Sequence, residues 1–174
     1  MVLTEAFFLL PEKGRHRRPF SLVLAVVLML GACQPDAGPT NDRDVLQTRV
    51  DHVVDGDTIR VDDLGESVRL IGIDTPEIYP EQECFGVEAR LRLVELIPPG
   101  TRVEVRFDTN EIDRFGRYLG YVYRKTDDLL VNLAMVEAGY AVTLRIEPNL
   151  RFADELREAE EGAAERGAGL WSAC

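Results

Sequence analysis

The sequence predicts an α+β fold in which β-strands come first and helices follow. Short stretches rich in Val, Ile and Leu alternate with turn-forming residues between about residue 50 and residue 123, as half-buried strands do. Apolar residues at helical spacing occupy residues 86–96, 131–138 and the chain after Pro148. One apolar stretch, residues 68–73, runs directly into acidic and turn-forming residues, which is unusual for a strand that serves only the core.

The N-terminus has the composition of an export signal. A basic cluster from Lys13 to Arg18 precedes an apolar run from Phe20 to Leu30 that is too short to span a bilayer comfortably. The next residues end in Cys33, and Leu30-Gly31-Ala32-Cys33 resembles the lipobox of bacterial lipoproteins. We therefore expect residues 1–33 to be a signal peptide and Cys33 to be lipidated.

Residues 34–45 are expected to form a flexible tether, because they are rich in Pro, Gly and Asp and lack apolar periodicity. The remaining residues, 46–174, are long enough for one domain. We expect an exported lipoprotein anchored to a membrane on its extracytoplasmic side. The alternative is a cleaved signal with an incidental cysteine, which gives a soluble secreted or periplasmic protein.

The domain is predicted to begin with five strands. Their expected positions are Val50–Val54, Thr58–Val61, Val68–Ile73, Arg102–Phe107 and Tyr118–Tyr123. Asp-Gly clusters and other turn residues separate the first three strands. Within the fourth strand, apolar and charged residues alternate, which predicts one buried face.

Helices are predicted after the third strand and after the fifth. The segment 86–96 carries Val87, Leu91 and Val94 at helical spacing and is stopped by Pro98-Pro99-Gly100. A second helix from about Val131 to Ala138 ends at Gly139, and a third begins after Pro148 and ends near Gly167. This order fits an OB-type barrel with appended helices, although periodicity alone does not single out that fold.

Charge and cysteine content limit the possible partners and the compartment. The chain has 20 Lys and Arg against 31 Asp and Glu, for a net charge of −11. An acidic surface argues against salt-driven binding along a long nucleic acid footprint, but not against a compact anion site built from a few arginines and a metal ion. Beyond Cys33, the even pair Cys84 and Cys174 suggests a disulfide in an exported domain.

Three clusters carry the chemistry: Asp55 to Thr58, Arg69 to Glu77, and Asp113 to Arg117. Each cluster alone has a structural explanation, as a tight turn, a strand-edge arginine with a partner, or a loop with a local ion pair. Carboxylates held close together repel one another, so a site that gathers them usually holds a cation. Because Arg69 and Asp74 lie on opposite faces of an ideal strand, such a site requires a bend near Gly72.

Together and in this order, the clusters closely resemble the thermonuclease family, the staphylococcal-nuclease-like Ca²⁺-dependent phosphodiesterases. The likeness covers about residues 46–171 and includes Val68-Arg69-Leu70, Gly72-Ile73-Asp74-Thr75-Pro76-Glu77, Phe85-Gly86-Val87-Glu88-Ala89, Leu119-Gly120-Tyr121-Val122-Tyr123, Val131-Asn132 and Gly169-Leu170-Trp171. The resemblance implies an OB-fold five-stranded β-barrel with about three helices.

The resemblance also implies a Ca²⁺ site. Asp57 and Asp74 would bind the ion through their carboxylates, and Thr75 through its backbone carbonyl. Hard oxygen ligands of this kind suit Ca²⁺ and leave positions for water and a substrate phosphate.

Catalytic roles follow from the same resemblance. Arg69 and Arg117 would clamp the phosphate, since a guanidinium holds two phosphate oxygens and stays charged. Glu77 would be the general base, or would position the attacking water.

The residues assigned to substrate binding depart from the family pattern. Family members often carry Lys and Tyr in the loop before the second arginine, whereas this chain has Arg114 and Phe115. Phe115 can stack on a base but cannot donate a hydrogen bond. We assign Arg114, Phe115 and Tyr118 to substrate binding, with packing in the barrel as the alternative for Tyr118.

The expected function is hydrolysis of phosphodiester bonds in DNA, with RNA left open, by metal-assisted attack of water. We expect a monomer with no obligate protein partner. One alternative is a non-catalytic OB-type module that holds single strands or a protein. Another is a structural lipoprotein stabilised by Ca²⁺.

Overall fold

The computed structural model describes residues 45–174, in which five strands close into a barrel and helices pack against it. In chain order the elements are β1 (Val45–Val53), β2 (Thr58–Val61), β3 (Val68–Leu70), β4 (Ile73–Asp74), α1 (Gly86–Leu96), β5 (Arg102–Ile112), β6 (Tyr118–Arg124), β7 (Leu129–Leu130), α2 (Val131–Glu137), β8 (Val142–Thr143), α3 (Ala153–Glu165) and α4 (Leu170–Ala173). None of these helices has the length and apolarity needed to cross a bilayer.

The predicted signal peptide, the lipidation site at Cys33 and the tether up to residue 44 lie outside the described residues. Val45, which the sequence analysis placed in the tether, is instead the first residue of β1, where it pairs with Arg106. The ordered strand therefore begins earlier than the predicted Val50, because cross-strand pairing rather than local composition holds its first residues.

The barrel closes through a parallel pair of strands. β1 pairs antiparallel with β2 and β5, β2 pairs with β3, and β5 pairs with β6. β3 and β6 then pair in parallel, with Val68 opposite Tyr118 and Arg69 opposite Leu119. The predicted α+β class, an OB-type barrel of five strands with appended helices, is confirmed. Because β3 carries Arg69 and β6 begins directly after Arg117, this closure brings the two arginines to neighbouring strands.

The first helix has the predicted bounds but buries a different face. Val87 and Leu91, which were used to predict α1, are 36% and 51% exposed, whereas Ala89 and Leu93 are fully buried. Apolar residues occur on two faces of this helix, so helical spacing identifies the helix without deciding which face packs on the barrel. Tertiary packing decides which of the two faces is buried.

The predicted third strand, Val68–Ile73, is broken at its centre. β3 ends at Leu70, and Gly72 has a φ of +81°, a left-handed backbone conformation that glycine adopts at little cost. Beyond it, β4 pairs with β8 and leaves the barrel. The predicted bend near Gly72 is confirmed.

A buried amide ties this bend to the second helix. Asn132, in the first turn of α2, donates from Nδ2 to the carbonyl oxygen of Ile71 (2.8 Å) and accepts at Oδ1 from the backbone N–H of Val122 (2.9 Å). The side chain is fully buried, so removing it would leave backbone groups without partners. The position of the chain just before Gly72 is therefore fixed from both sides.

The C-terminus is fastened to the body of the domain. Cys84 and Cys174 are joined by a disulfide with their Cα atoms 6.0 Å apart. At the start of α4, the N–H of Leu170 donates to the carbonyl oxygen of Gly139, just after α2 (2.9 Å). The last residues thus connect the end of α2 with the segment that precedes α1.

Candidate active site

The centre of the candidate site is Arg69, whose guanidinium joins two carboxylates. Its Nη2 lies 3.0 Å from Asp57 Oδ2 and 2.7 Å from Asp74 Oδ1. Its Nη1 donates to the carbonyl oxygens of Leu70 (3.0 Å) and Ile73 (2.8 Å), on either side of the bend. The side chain is only 11% exposed, and three hydrogen-bond acceptors and the ion pair with Asp57 fix its orientation. The bend at Gly72 is what lets a residue of β4 reach an arginine of β3.

Asp57 is the buried member of this group. The turn before β2 presents it, with the N–H of Asp57 donating to Asp55 Oδ1 (3.1 Å). Its Oδ2 accepts from the N–H (3.0 Å) and the hydroxyl (3.1 Å) of Thr75. Burial raises the pKa of Asp57 to about 7, the charge of Arg69 opposes this shift, and the charge of Asp55 adds to it. A carboxyl group in this position is stabilised in its ionised form by any further cation beside it.

Glu77 follows this group directly, on the exposed chain after Pro76. Partial burial of its carboxyl group, together with the negative charges of Asp55 and Asp74, raises the pKa of Glu77 above its ordinary value of 4.5. A raised pKa makes the ionised carboxylate a stronger base. Its backbone is held by Glu83, whose Oε2 accepts from the N–H of Glu77 (2.9 Å).

Arg117 sits at the end of a loop that Asp113 organises. Asp113 Oδ2 lies 2.8 Å from Nε and 2.7 Å from Nη2 of Arg117, and its Oδ1 accepts from the N–H groups of Phe115 (2.8 Å) and Arg117 (3.0 Å). Burial opposes ionisation of Asp113, but these hydrogen bonds outweigh it and hold the pKa of Asp113 below its ordinary value of 3.8. The loop therefore presents Arg117 through contacts made within itself.

A cavity of about 440 Å³ connects the two arginines. Arg69 and Arg117 both line it, as do Arg114 and Phe115 from the loop. Phe115 is 68% exposed, and the Arg114 guanidinium lies 4.7 Å from the centre of its ring. Much of the remaining wall is apolar, formed by Leu70, Ile71, Ile73, Ile112, Leu119, Leu144 and Ile146, and two acidic residues, Asp113 and Glu147, also line the cavity. A cavity with three guanidinium groups and largely apolar walls can accept an anionic group that carries a flat apolar part.

Tyr118 does not share this cavity. It is half-buried, and its ring centre lies 6.0 Å from that of Phe107, against the barrel core. Its assignment to substrate binding is not supported by its position, because the parallel pairing with β3 directs this side chain into the packing. Barrel packing, the alternative for Tyr118, accounts for its surroundings.

The structure brings some of the predicted site residues into contact and relates others only through the cavity. Asp57, Arg69, Asp74 and Thr75 form one contact group. Arg117 is not part of this contact group and is related to it only because Arg117 and Arg69 line the same cavity. The sequence did not reveal that Arg69 pairs with both aspartates, nor that Leu144 and Ile146 face the cavity, because both facts depend on how distant segments pack.

The residues assigned to a metal ion offer oxygen atoms only. Two carboxylates meet within 3.0 Å of one nitrogen atom, Nη2 of Arg69, so the fold already gathers their negative charge around a cation. Within residues 45–174 there is no cluster of three or more His, Cys, Asp and Glu side chains that could hold an ion. An ion held by Asp57 and Asp74 would therefore use carbonyl, water or substrate oxygens for its remaining positions. This donor set fits Ca²⁺, which accepts such mixed oxygen ligands.

Comparison with known proteins identifies the family of the chain. The family model described as "Staphylococcal nuclease homologue" matches residues 67–173, more than half of the chain. The chain belongs to this family. The matched range contains Arg69, Asp74, Glu77 and Arg117, while Asp57 lies before it.

Individual relatives cover different shares of their own length. The chain is 33% identical over 137 residues to the SPbeta prophage-derived endonuclease YokF of Bacillus subtilis (strain 168), spanning 75% of this chain and 45% of that protein. It is 32% identical over 139 residues to Endonuclease YncB of the same organism, spanning 76% of this chain and 64% of that protein. It is also 32% identical over 127 residues to the Thermonuclease of Staphylococcus intermedius, spanning 70% of this chain and 74% of that protein. The chain thus spans about half to two thirds of the length of the two Bacillus relatives.

Proposed function

We propose that the protein is a Ca²⁺-dependent nuclease that hydrolyses phosphodiester bonds of DNA. The observation that carries this proposal is the convergence of Asp57, Asp74 and Arg69 at the bend, beside the cavity that Arg69 shares with Arg117. Membership of the family, and relatives named endonuclease and thermonuclease, support a hydrolase of this class. A module that only binds strands has no need for one buried and one half-exposed carboxylate around an arginine.

The two arginines bind the phosphate of the substrate. A guanidinium holds phosphate oxygens through paired N–H groups, and preorganised cations stabilise the charge that builds on those oxygens as water attacks. Arg69 is held by hydrogen bonds to Asp74 and to the carbonyl oxygens of Leu70 and Ile73 and by its ion pair with Asp57, so binding a phosphate through paired N–H groups requires it to exchange some of these contacts for phosphate oxygens. Arg117 lines the same cavity.

Glu77 takes the proton of the attacking water. Its raised pKa favours this role, because a base accepts a proton most effectively when its pKa is close to the working pH. Asp57, Asp74 and the carbonyl of Thr75 would hold the Ca²⁺ ion, which when bound supplies electrostatic stabilisation of the phosphate charge. The apolar wall and Phe115 accept a nucleobase beside the phosphate.

The decisive test is a cleavage assay on the chain without its first 33 residues. Single-stranded DNA, duplex DNA and RNA are incubated with Ca²⁺ or with a chelator, using the parent, Glu77→Gln and Glu81→Gln. Glu81 is the matched control, since it is an exposed acid of the same segment. We expect Ca²⁺-dependent cutting that falls by about 100-fold or more in Glu77→Gln and is unchanged in Glu81→Gln. Strand binding without cutting by the parent would favour the binding module, and Ca²⁺-dependent melting without cutting or binding would favour the structural lipoprotein.

We also propose that the protein is exported and anchored through a lipid on Cys33, acting as a monomer without an obligate protein partner. The order of basic and apolar residues before Cys33 supports the anchor. The disulfide between Cys84 and Cys174 supports an oxidising compartment. Mass spectrometry of the membrane-extracted protein should find a lipid-modified cysteine at a new N-terminus. A soluble chain with a free Cys33, or one cleaved beyond it, would contradict the anchor.

A further inference from the structure

Glu83 closes the segment between Glu77 and α1 into a loop through hydrogen bonds to the backbone of Glu77. Glu83 Oε2 accepts from the N–H of Glu77 (2.9 Å), and the N–H of Glu83 donates to the carbonyl oxygen of Glu77 (2.8 Å). Both backbone polar groups of Glu77 are therefore held by the same residue. No hydrogen bond or ion pair to the carboxylate of Glu77 comes from residues 45–174, so the direction of its side chain depends on how its backbone is held.

The start of α1 packs against the same backbone. The N–H of Gly86 donates to the carbonyl oxygen of Glu83 (3.2 Å), and a Cβ atom at Gly86 would lie only 2.6 Å from the carbonyl oxygen of Glu77. α1 is itself fixed to the barrel by the fully buried Ala89 and Leu93. Glu77, Glu83 and the first residue of α1 thus form one small unit resting on the core.

A covalent bond holds the other side of this unit. Cys84 directly follows Glu83 and is bonded to Cys174. The C-terminal helix α4, which Cys174 directly follows, is attached to the end of α2 through the hydrogen bond from Leu170 to Gly139. Glu83 is therefore followed closely by two anchors, the disulfide at Cys84 and the N-terminus of α1 at Gly86.

We propose that Glu83 is a positioning residue for Glu77, and that the Cys84–Cys174 disulfide keeps Glu83 in place. This inference rests on the proposed function, in which Glu77 accepts the proton of the attacking water. An exposed base without side-chain partners needs its backbone fixed if its carboxylate is to meet the water in one geometry, and small misplacements of such groups are costly. The hydrogen bond to the N–H of Glu77 supplies that restraint.

The test combines kinetics with amide hydrogen exchange in the chain without its first 33 residues. Glu83→Ala removes the acceptor, whereas Glu83→Gln keeps a side-chain oxygen that can accept from the N–H of Glu77. Glu81→Ala is the matched control, because Glu81 is an exposed acid of the same segment. In Glu83→Ala we expect kcat on DNA to fall about 10- to 100-fold with KM near that of the parent, and the Glu77 amide to exchange faster. Glu83→Gln and Glu81→Ala should stay within about threefold of the parent in kcat, since the restraint remains.

The disulfide is tested with the double variant Cys84→Ser/Cys174→Ser, at a temperature where its unfolding curve shows it to be fully folded. We expect faster exchange of the Glu77 amide and a smaller fall in kcat than in Glu83→Ala. An exchange rate and a kcat equal to those of the parent would overturn the role of the disulfide.

Three results distinguish this inference from the proposed function. Parent-like kcat and exchange in Glu83→Ala would overturn the positioning role while leaving the nuclease intact. Equal losses of kcat in Glu83→Ala and Glu83→Gln, with unchanged exchange, would overturn it in favour of an effect of the charge. If the parent does not cleave DNA, the proposed function is wrong. In that case the Glu77 amide still tests the hydrogen bond from Glu77 to Glu83, since an unchanged exchange rate in Glu83→Ala would show that this bond does not restrain Glu77.

Discussion

Each of the arginines Arg69 and Arg117 lines the cavity and pairs with an aspartate, and the two pairs differ in what surrounds them. The side chains of Asp57 and Arg69 are 7% and 11% exposed, whereas those of Asp113 and Arg117 are 14% and 32% exposed. Burial raises the pKa of Asp57 to about 7 even beside Arg69. In the second pair, hydrogen bonds from the loop overcome burial and lower the pKa of Asp113.

The pair of Arg69 therefore connects several segments of the fold, whereas the pair of Arg117 lies within a single loop. Arg69 connects Asp57, Asp74 and two backbone carbonyls across the bend, so several segments depend on it. Arg117 contacts Asp113, four residues before it, and Asp113 also binds backbone N–H groups that remain when Arg117 is removed. We expect the loss of Arg69 to affect both stability and chemistry, and the loss of Arg117 to affect chemistry alone.

The largest expected effect on stability is that of Arg69→Ala. Removing the guanidinium leaves a buried carboxyl group and two carbonyl oxygens without their partner, which should lower the free energy of unfolding by about 3–5 kcal/mol. Arg117→Ala should lower it by less than about 1 kcal/mol, because the Arg117 guanidinium is partly exposed and Asp113 keeps its hydrogen bonds from backbone N–H groups of the loop. Denaturant unfolding of the two variants, compared with the parent, measures both values. Equal losses of unfolding free energy in the two variants would contradict the distinction between the two pairs.

The pH dependence of stability should differ in sign between the two aspartates. Because the pKa of Asp57 is about 7 in the folded protein, above its ordinary value of 3.8, its contribution is complete below about pH 4 and declines as the pH rises towards 7. The pKa of Asp113 is lowered, so its contribution is present above its ordinary pKa of 3.8 and is lost as the pH falls below that value.

Unfolding free energies measured across this pH range, in the presence of a chelator, check both signs. Asp57→Asn should remove a decline between about pH 4 and pH 7, and Asp113→Asn should remove a loss below about pH 4. If the unfolding free energy of Asp57→Asn declines between pH 4 and pH 7 as in the parent, another titratable group causes that decline.

A smaller effect is expected from a matched pair of glycines, one in each region. Gly72 and Gly116 have φ values of +81° and +84°, so an alanine at either position is strained by about 1 kcal/mol. A Cβ atom at Gly72 would also lie 2.5 Å from Cδ1 of the buried Leu156, whereas at Gly116 it would meet open space. Gly72→Ala should therefore cost about 1–3 kcal/mol more than Gly116→Ala, as judged by thermal or denaturant unfolding. Similar costs would indicate that Leu156 can move aside.

The barrel was predictable because its strands carry local signals. Val103, Val105 and Phe107 alternate with charged residues and are buried, as the pattern predicts. Glu104 departs from the predicted single buried face, because it is buried as well and pairs with Arg106 and Lys125. The strands β4, β7 and β8 were missed, since each has two residues and is too short to show any periodicity. Their existence depends on pairings such as Ile73 with Thr143, which only the folded chain brings about.

The candidate site was predictable in its residue types but not in its contacts. The need for a bend at Gly72 followed from the opposite faces of Arg69 and Asp74 on an ideal strand. The meeting of Asp57 and Asp74 on one nitrogen of Arg69 did not follow, because the two aspartates lie on different segments. The hydrogen bond from the N–H of Glu77 to Glu83 could not be predicted from the sequence either, since an acidic residue in an exposed segment gives no local sign of its partner.

The role of Arg117 in binding the phosphate is tested most directly by the rate of single-stranded DNA cleavage by Arg117→Ala, together with its unfolding free energy. Arg151→Ala is the matched control, because it removes another aspartate–arginine pair, to Asp108 at 3.6 Å, from a residue that does not line the cavity. A phosphate-binding role for Arg117 predicts that cleavage by Arg117→Ala falls by about 100-fold or more while stability stays within about 1 kcal/mol of the parent, and that Arg151→Ala cleaves like the parent. Cleavage by Arg117→Ala at the parent rate would contradict it, since Arg117 would then serve only its own loop.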